Sequence, residues 1–274
     1  MRYIKLINDE LKMKILNFLY EDELFNVYLI NVIEKQIDNI GEIYIEESDG
    51  DIGSILHIKF DGNSYFTSFF TKNEAGYKEI AKQLEIFKYK RILLAGKRKE
   101  VSKILSYLSK DVISSSDIYY KFNASKYLKQ TSIPEIKFRQ ATYEQEDISK
   151  ISEFMIDFFG ATNEEEVADI ANRRKLFEDI RLGVYFIEYN GQPIGMARYS
   201  GESKNFIDIT TVYIQPNYRG RGFGKKLMLY IIDNIITSNK IPVTQTSSIN
   251  IVARNTYESL GFIKEDDYLF EFIS

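Results

Sequence analysis

The sequence predicts an α+β fold (α/β mixed), with helices and strands interspersed along the chain and sheets that are mixed but largely antiparallel. Three observations carry that expectation. Apolar residues recur at helical spacing in some segments and alternate in others. Asp49-Gly50-Asp51, Asp61-Gly62-Asn63 and Asn190-Gly191 are hairpin turns between alternating runs. Residues 206–226, FIDITTVYIQPNYRGRGFGKK, read as a strand, a glycine-rich turn and a helix start.

Composition sets the bounds. A chain of 274 residues that is 44% hydrophobic and 14% aromatic supplies real cores for one large domain or two ordinary ones. A formal net charge of −4 argues against nucleic-acid binding, which needs a basic face. There is no cysteine and a single histidine, so disulfides, thiolate sites and histidine metal clusters are not expected, and no metal is assigned. No long apolar run suggests a membrane span, and MRYIKLINDELK lacks the apolar centre of a leader. The expected compartment is cytoplasmic.

In chain order, Asn8 or Asp9 caps a helix reaching about Tyr20, and an apolar-periodic segment over 23–38 forms the next. Strands follow at 43–47, 54–60 and 64–71, with His57 read as structural. A helix spans 74–87, a strand 91–95 is broken by Gly96, and a helix at 99–108 precedes a strand at 118–122. Residues 125–134, with Ser125, Gln130, Thr131, Ser132 and Pro134, form the linker between domains at 1–124 and 135–274.

After it, 135–140 forms a strand, and Thr142 with Gln145 makes a capping box for a helix that Gly160 ends. Thr162 or Asn163 caps another helix, whose Glu164–Glu166 run suits the positive end of the dipole. Strands at 184–189 and 193–199 form the hairpin about Asn190-Gly191. The strand at 206–214 is stopped by Pro216 and Asn217. Leu227, Met228, Ile231, Ile232, Ile235 and Ile236 mark the following helix, then come a strand at 242–247, a helix at 250–260, and strands near 262–264 and 268–272.

The glycine-rich turn carries the chemistry. A helix N-terminus behind such a turn offers free N–H groups to an anion, and Arg219, Arg221, Lys225 and Lys226 surround it with positive charge. A phosphate-bearing ligand suits it; so does an Arg/Gly turn that only caps the helix. G-x-x-x-x-G-K-[ST] fails, because Arg219 stands where its first glycine belongs and Lys226 where its hydroxyl belongs, and the third glycine comes one residue early for G-x-G-x-x-G. The spacing Arg219-x-x-Gly222-x-Gly224 does match R/Q-x-x-G-x-G/A. In this the stretch resembles the acyl-CoA-binding motif of the GNAT superfamily of N-acetyltransferases. Downstream, Asn250-x-x-Ala253-x-x-x-Tyr257-x-x-x-Gly261-Phe262 resembles a second GNAT signature.

The resemblance implies an N-acetyltransferase that moves an acetyl group from acetyl-CoA to a primary amine by direct attack. It implies that main-chain N–H groups across Arg219, Gly220, Arg221, Gly222, Phe223, Gly224 and Lys225 hold the CoA pyrophosphate. Val212, Tyr213 and Ile214 would pair with the pantetheine arm, an N–H near Val212 or Tyr213 would face the oxyanion, and Asn250 would bond the cofactor arm. Tyr257 is the expected general acid. Asp208, eleven residues before Arg219, is the candidate base, and an ion-pair partner for Arg198 or Lys204 is an equal reading of it. By element order the first half resembles a degenerate GNAT-like domain, which makes the chain a tandem of two. Its turn region, FFTKNEAGY, lacks the CoA motif. Tyr185, Arg198, Tyr199 and Phe158 or Phe159 are candidates to line the acceptor pocket. The acceptor is a small-molecule or peptide amine, and the resemblance leaves room for a homodimer. The alternative is an acetyl-CoA-binding regulatory or interaction protein without transferase activity.

Overall fold

The computed structural model describes residues 1–35, 40–48, 50–60, 64–85, 91–126 and 135–273. In chain order it contains β1 (Arg2–Tyr3), α1 (Asp9–Leu19), α2 (Glu23–Lys35), β2 (Glu42–Ser48), β3 (Asp51–Phe60), β4 (Tyr65–Thr71), α3 (Glu74–Glu85), β5 (Ile92–Lys97), α4 (Arg98–Tyr107) and β6 (Asp117–Phe122). There follow β7 (Ile136–Gln140), α5 (Gln145–Phe159), α6 (Glu164–Ile170), α7 (Arg173–Gly183), β8 (Val184–Tyr189), β9 (Gln192–Glu202), β10 (Phe206–Ile214), α8 (Phe223–Thr237), β11 (Ile241–Ser247), α9 (Ile251–Leu260) and β12 (Phe262–Ile273). The hairpin turn at 61–63, Asp49, the last residues of two expected helices (36–38 and 86–87) and most of the linker (127–134) lie outside the described residues. Among those described, no helix is long and apolar enough to cross a membrane.

Two compact units emerge, one of Met1–Tyr119, Thr246–Ile249 and Glu265–Ser274, the other of Tyr120–Gln245 and Asn250–Lys264. This departs from the expected 135–274 domain, because the chain's last stretch groups with the first unit. The cause is strand pairing: β12 runs antiparallel to β5 from Tyr268↔Lys97 to Ile273↔Ile92. The two strands expected at 262–264 and 268–272 are one continuous strand.

In the first unit the strand order is β1-β2-β3-β4-β5-β12, and the β4–β5 pair is parallel. One face buries Ile15, Leu19, Ile30 and Ile33 of α1 and α2 against Ile43, Ile45 and Ile55. The other buries Ile80 and Ile104 of α3 and α4 against Leu56, Leu94 and Leu269. Asn8 caps α1 by accepting the Leu11 N–H at 2.8 Å. Gly96 does not break β5 as expected but lies within it. A Cβ there would stand 3.1 Å from the Phe69 ring and 3.2 Å from Val101, so the glycine serves close packing.

His57 is wholly buried, with Nε2 2.6 Å from the Ile40 carbonyl and the Tyr28 ring 5.8 Å away. A carbonyl only accepts, so Nε2 carries the proton of the neutral ring. Burial pushes the imidazole down to about 4. A folded value below the unfolded one near 6.5 means that the unfolded chain binds the extra proton, so stability falls as pH drops through that window. The loss is on the order of 3 kcal/mol. Thermal melts should show His57→Gln losing less stability than the parent between pH 7 and 4.5; equal losses would remove His57 from the acid response.

In the second unit the strand order is β6-β11-β10-β9-β8-β7, antiparallel from β7 to β10 and parallel at β10–β11. Asn190 and Gly191 have φ of 51° and 76°, the paired positive values of a tight hairpin turn. Ile148, Ile151 and Phe154 of α5 and Leu176 and Ile180 of α7 bury against Phe186, Met196 and Tyr213. Helix α5 begins at Gln145, not at Thr142, and the expected capping box is replaced. The Asp147 carboxylate reaches back to accept the Thr142 N–H at 2.7 Å and bonds both terminal nitrogens of Arg139. Where one helix was expected after Gly160 there are two, with Asn163 capping α6 and Asn172 capping α7.

Candidate active site

The parallel register of β10 with β11 runs from Phe206↔Ile241 to Ile209↔Thr244. Both strands continue, to Ile214 and to Ser247. Beyond Ile209 only the pairing with β9, present from Ile207↔Glu202, goes on, through Tyr213↔Met196 and Ile214↔Gly195. The main chain of Val212–Ile214 is thus held on one side by β9.

The turn after β10 is tied down at its start, where the Gln215 N–H donates to the Ile194 carbonyl at 2.9 Å. Arg219 folds back on the strand: its Nε donates to the Ile214 carbonyl at 2.8 Å and its guanidinium lies 5.6 Å from the Tyr213 ring centroid. Arg221 packs among Tyr189, Tyr218 and Phe223, at 5.3, 5.7 and 5.1 Å from their centroids. Gly220 and Gly222 have φ of 73° and 77°, conformations that an L side chain rarely adopts. Gly222 is the N-cap of α8 and brings no side chain to it. The first helical turn closes only where the Lys226 N–H reaches the Gly222 carbonyl at 3.1 Å, so the amides of Phe223, Gly224 and Lys225 precede it. A Cβ on Gly220 would meet nothing within 4 Å, and one on Gly222 only the Lys226 Nζ at 3.9 Å.

The start of α3 in the first unit is built differently. Asn73 caps it, accepting the Gly76 N–H at 2.8 Å, and a Cβ on Gly76 would stand 1.9 Å from the Thr71 hydroxyl oxygen. One of its leading amides is thus served by the chain's own side chain, as none is at α8.

Asp208 and Tyr257 come together beside the end of the parallel register. Asp208, on β10, is 6% exposed. Its Oδ2 accepts from the Ser200 hydroxyl at 2.7 Å, while Oδ1 is buried with no hydrogen-bond partner. Arg198 does not pair with it but with Asp179, at 2.6 Å, and Ser200 takes the place expected of Arg198 or Lys204. Burial pushes the Asp208 carboxyl up to about 7, against the smaller opposing effects of Ser200 and Arg198. Tyr257, on α9, is also 6% exposed and sits edge-on to Tyr120 at 6.0 Å. Its hydroxyl lies near Thr244, whose own hydroxyl donates to the Ile209 carbonyl at 2.9 Å. Burial pushes the phenol up to about 12, and the Asp208 charge adds to the rise. Asn250 is the N-cap of α9, its Oδ1 accepting the Ala253 N–H at 3.1 Å. Tyr213 turns away from this group, donating to Asp157 on α5 at 2.7 Å. Among the described residues, no group of three or more His, Asp or Glu is arranged to hold a metal ion.

Residues 148–262 match the family model of the acetyltransferase (GNAT) family. They form a GNAT domain. Part of the chain is similar to the L-amino acid N-acyltransferase MnaT of Escherichia coli, 28% identical over 125 residues that make up 42% of this chain and 72% of that protein. Over nearly its whole length the chain shares its fold with two solved structures. One is a Drosophila protein (TM-score 0.70, 14% identity, 98% and 97% of the two chains covered). The other is a tandem GNAT protein from the clavulanic acid biosynthesis pathway (TM-score 0.67, 11% identity, 99% and 98% covered). The fold is therefore a tandem GNAT fold.

Ser200 and Thr244 of the GNAT domain, and Tyr120 on β6 ahead of it, were not legible as candidate site residues. Ser200 reaches Asp208 as the extra residue of a bulge on β9, between the pairs Asp208↔Gly201 and Ile209↔Tyr199, which a regular hairpin count does not contain. Asp208 carries a stability consequence. A carboxyl raised in the folded state stabilises below its unfolded value near 3.8, and that contribution is lost as pH rises through about 7. Asp208→Asn, which keeps an acceptor for Ser200, should therefore match the parent's melting temperature near pH 4 and exceed it at pH 8. The gain is on the order of 4 kcal/mol at most. A pH-independent difference would contradict the raised carboxyl.

Proposed function

We propose that this protein is an N-acetyltransferase, transferring an acetyl group from acetyl-CoA to the primary amine of a small molecule or peptide by direct attack. The observation that carries the reading is one arrangement in the GNAT domain: an N-terminus of α8 with no capping side chain, joined by β10 to a buried carboxylate and a buried phenol. The glycine turn fits a diphosphate. Gly220 and Gly222 leave open the space that a Cβ would fill, and the amides of Phe223, Gly224 and Lys225 stand at the positive end of the helix dipole. With Arg219 folded against Ile214, the grip falls to the main chain and to Arg221 and Lys225.

Acetyl-CoA supplies an activated acyl thioester there; the chain's own residues manage protons. An alkylammonium has a pKa near that of lysine, about 10.4, so the acceptor arrives charged. The Asp208 Oδ1, lacking a protein partner, takes that proton, and a carboxyl near 7 is a better base than one near 3.9. Tyr257 Oη keeps its proton throughout the working range and offers it beside Thr244 as a hydrogen-bond donor and general acid. The second reading, a binding protein without transfer, has Tyr257 and Asp208 as core polar residues; Oδ1 standing unpaired in a buried site favours the first.

The name of the Escherichia coli relative makes L-amino acids the first acceptors to screen by thiol release. Tyr257→Phe should lower kcat about tenfold to a thousandfold while acetyl-CoA affinity in calorimetry stays within about twofold. Asp208→Asn should remove the rise in rate through pH 7. Acetyl-CoA binding with no thiol release for any amine would sustain the binding-protein reading instead, and no binding at all would sink both.

A further inference from the structure

Strands β9 and β10 fall out of step over a short window and then recover. Asp208 faces Gly201 but Ile209 faces Tyr199, so Ser200 is one residue extra on β9. Thr210 then faces Arg198 while the next pair is Tyr213 with Met196, so β10 carries one extra residue in turn. The two bulges are opposite in sense, and the register beyond Tyr213 is again the one before Asp208. The first bulge gives Asp208 its hydroxyl partner. The second is strained: Thr211 is β-branched, buried and at φ 50°, a conformation foreign to such a side chain.

One side chain grips that residue. Arg198 Nε donates to the Thr211 hydroxyl at 2.9 Å, and Nη1 of the same guanidinium donates to Asp179 Oδ1 at 2.6 Å. Asp179 stands on α7, which packs against β9, and both members of the ion pair are mostly buried. The fork has two donors pointing in different directions, a task lysine does not share.

We propose that Asp179 and Arg198 are positioning residues that hold Thr211 in its left-handed conformation and so lock the offset window that sets Asp208 against Ser200. Neither has to touch a substrate. Released from the clamp, the offset window relaxes toward the register that holds on either side of it, which re-pairs residues 209–212 and turns their side chains. Ser200 then pairs with Ile209 instead of bulging toward Asp208. The kinetic consequence rests on the proposed role of Asp208; the structural one rests on geometry alone.

The test compares the parent, Asp179→Asn, Arg198→Lys, Thr211→Gly and the Arg198→Lys/Thr211→Gly pair in the full chain. Turnover of acetyl-CoA with a panel of L-amino acids is measured beside amide hydrogen exchange across 209–214. Asp179→Asn and Arg198→Lys should each lower kcat about tenfold with KM for acetyl-CoA within about twofold, and speed exchange in that segment. Thr211→Gly in the Arg198→Lys background should restore kcat to within about threefold of the parent, because glycine takes a positive φ unaided. Exchange unchanged in both single variants, or a double variant as slow as Arg198→Lys, overturns the clamp. Should the parent itself release no thiol, the transferase reading falls, and exchange alone then decides the clamp: faster in Asp179→Asn sustains it, unchanged rejects it.

Discussion

Four residue pairs of parallel ladder join β10 to β11, and the ladder stops after Ile209 and Thr244 while both strands go on. That stop sets what lies around it. A strand still paired on both sides has its N–H and C=O groups spoken for, whereas one paired on a single side keeps half of them for another partner. The two strand ends bring Asp208 and Thr244 to one level, and α9 hangs Tyr257 over them. On the far side of β10, the turn and α8 present amides that no side chain caps. Charge, hydroxyl and phenol are thereby gathered by backbone geometry rather than by a network of ion pairs.

Burial gives those groups their chemistry. Asp208 would be a weak base in water; buried beside a single hydroxyl, it titrates near neutrality. Tyr257 moves the other way from usefulness as an anion and becomes a phenol that stays protonated. The same physical effect acts on His57 in the first unit, where it yields a neutral structural imidazole bonded to a carbonyl. Burial alone does not make a site; His57 has its carbonyl partner, whereas Asp208 Oδ1 is buried without one.

How far this was legible in the sequence follows from the range of each interaction. Local signals read well. Asn-Gly at 190–191 forms the hairpin turn, the strand ends at Ile214 ahead of Pro216, and Gly261 takes the left-handed position after α9. The two GNAT signatures of the second half, with the element order of the first, lead to the tandem fold. What failed depends on contacts far apart in sequence. Gly96 looked like a strand breaker because the Phe69 ring that demands it lies on another strand. Thr142 looked like an N-cap because nothing local reveals that Asp147 is also held by Arg139. Arg198 was a fair partner for Asp208 by charge, but two opposed bulges, invisible in a pattern of alternation, handed that place to Ser200.

The pairing of β12 with β5 bears on how the protein is made. Synthesis proceeds from the N-terminus, yet the strand that covers β5 is composed of residues 268–273. While the ribosome is still translating the second unit, the nascent first unit waits with one strand edge uncovered, the kind of edge that invites pairing with a stranger. Only once residues 268–273 have emerged is that edge closed, so the maturation of the earlier unit waits on residues made after nearly all of the later one.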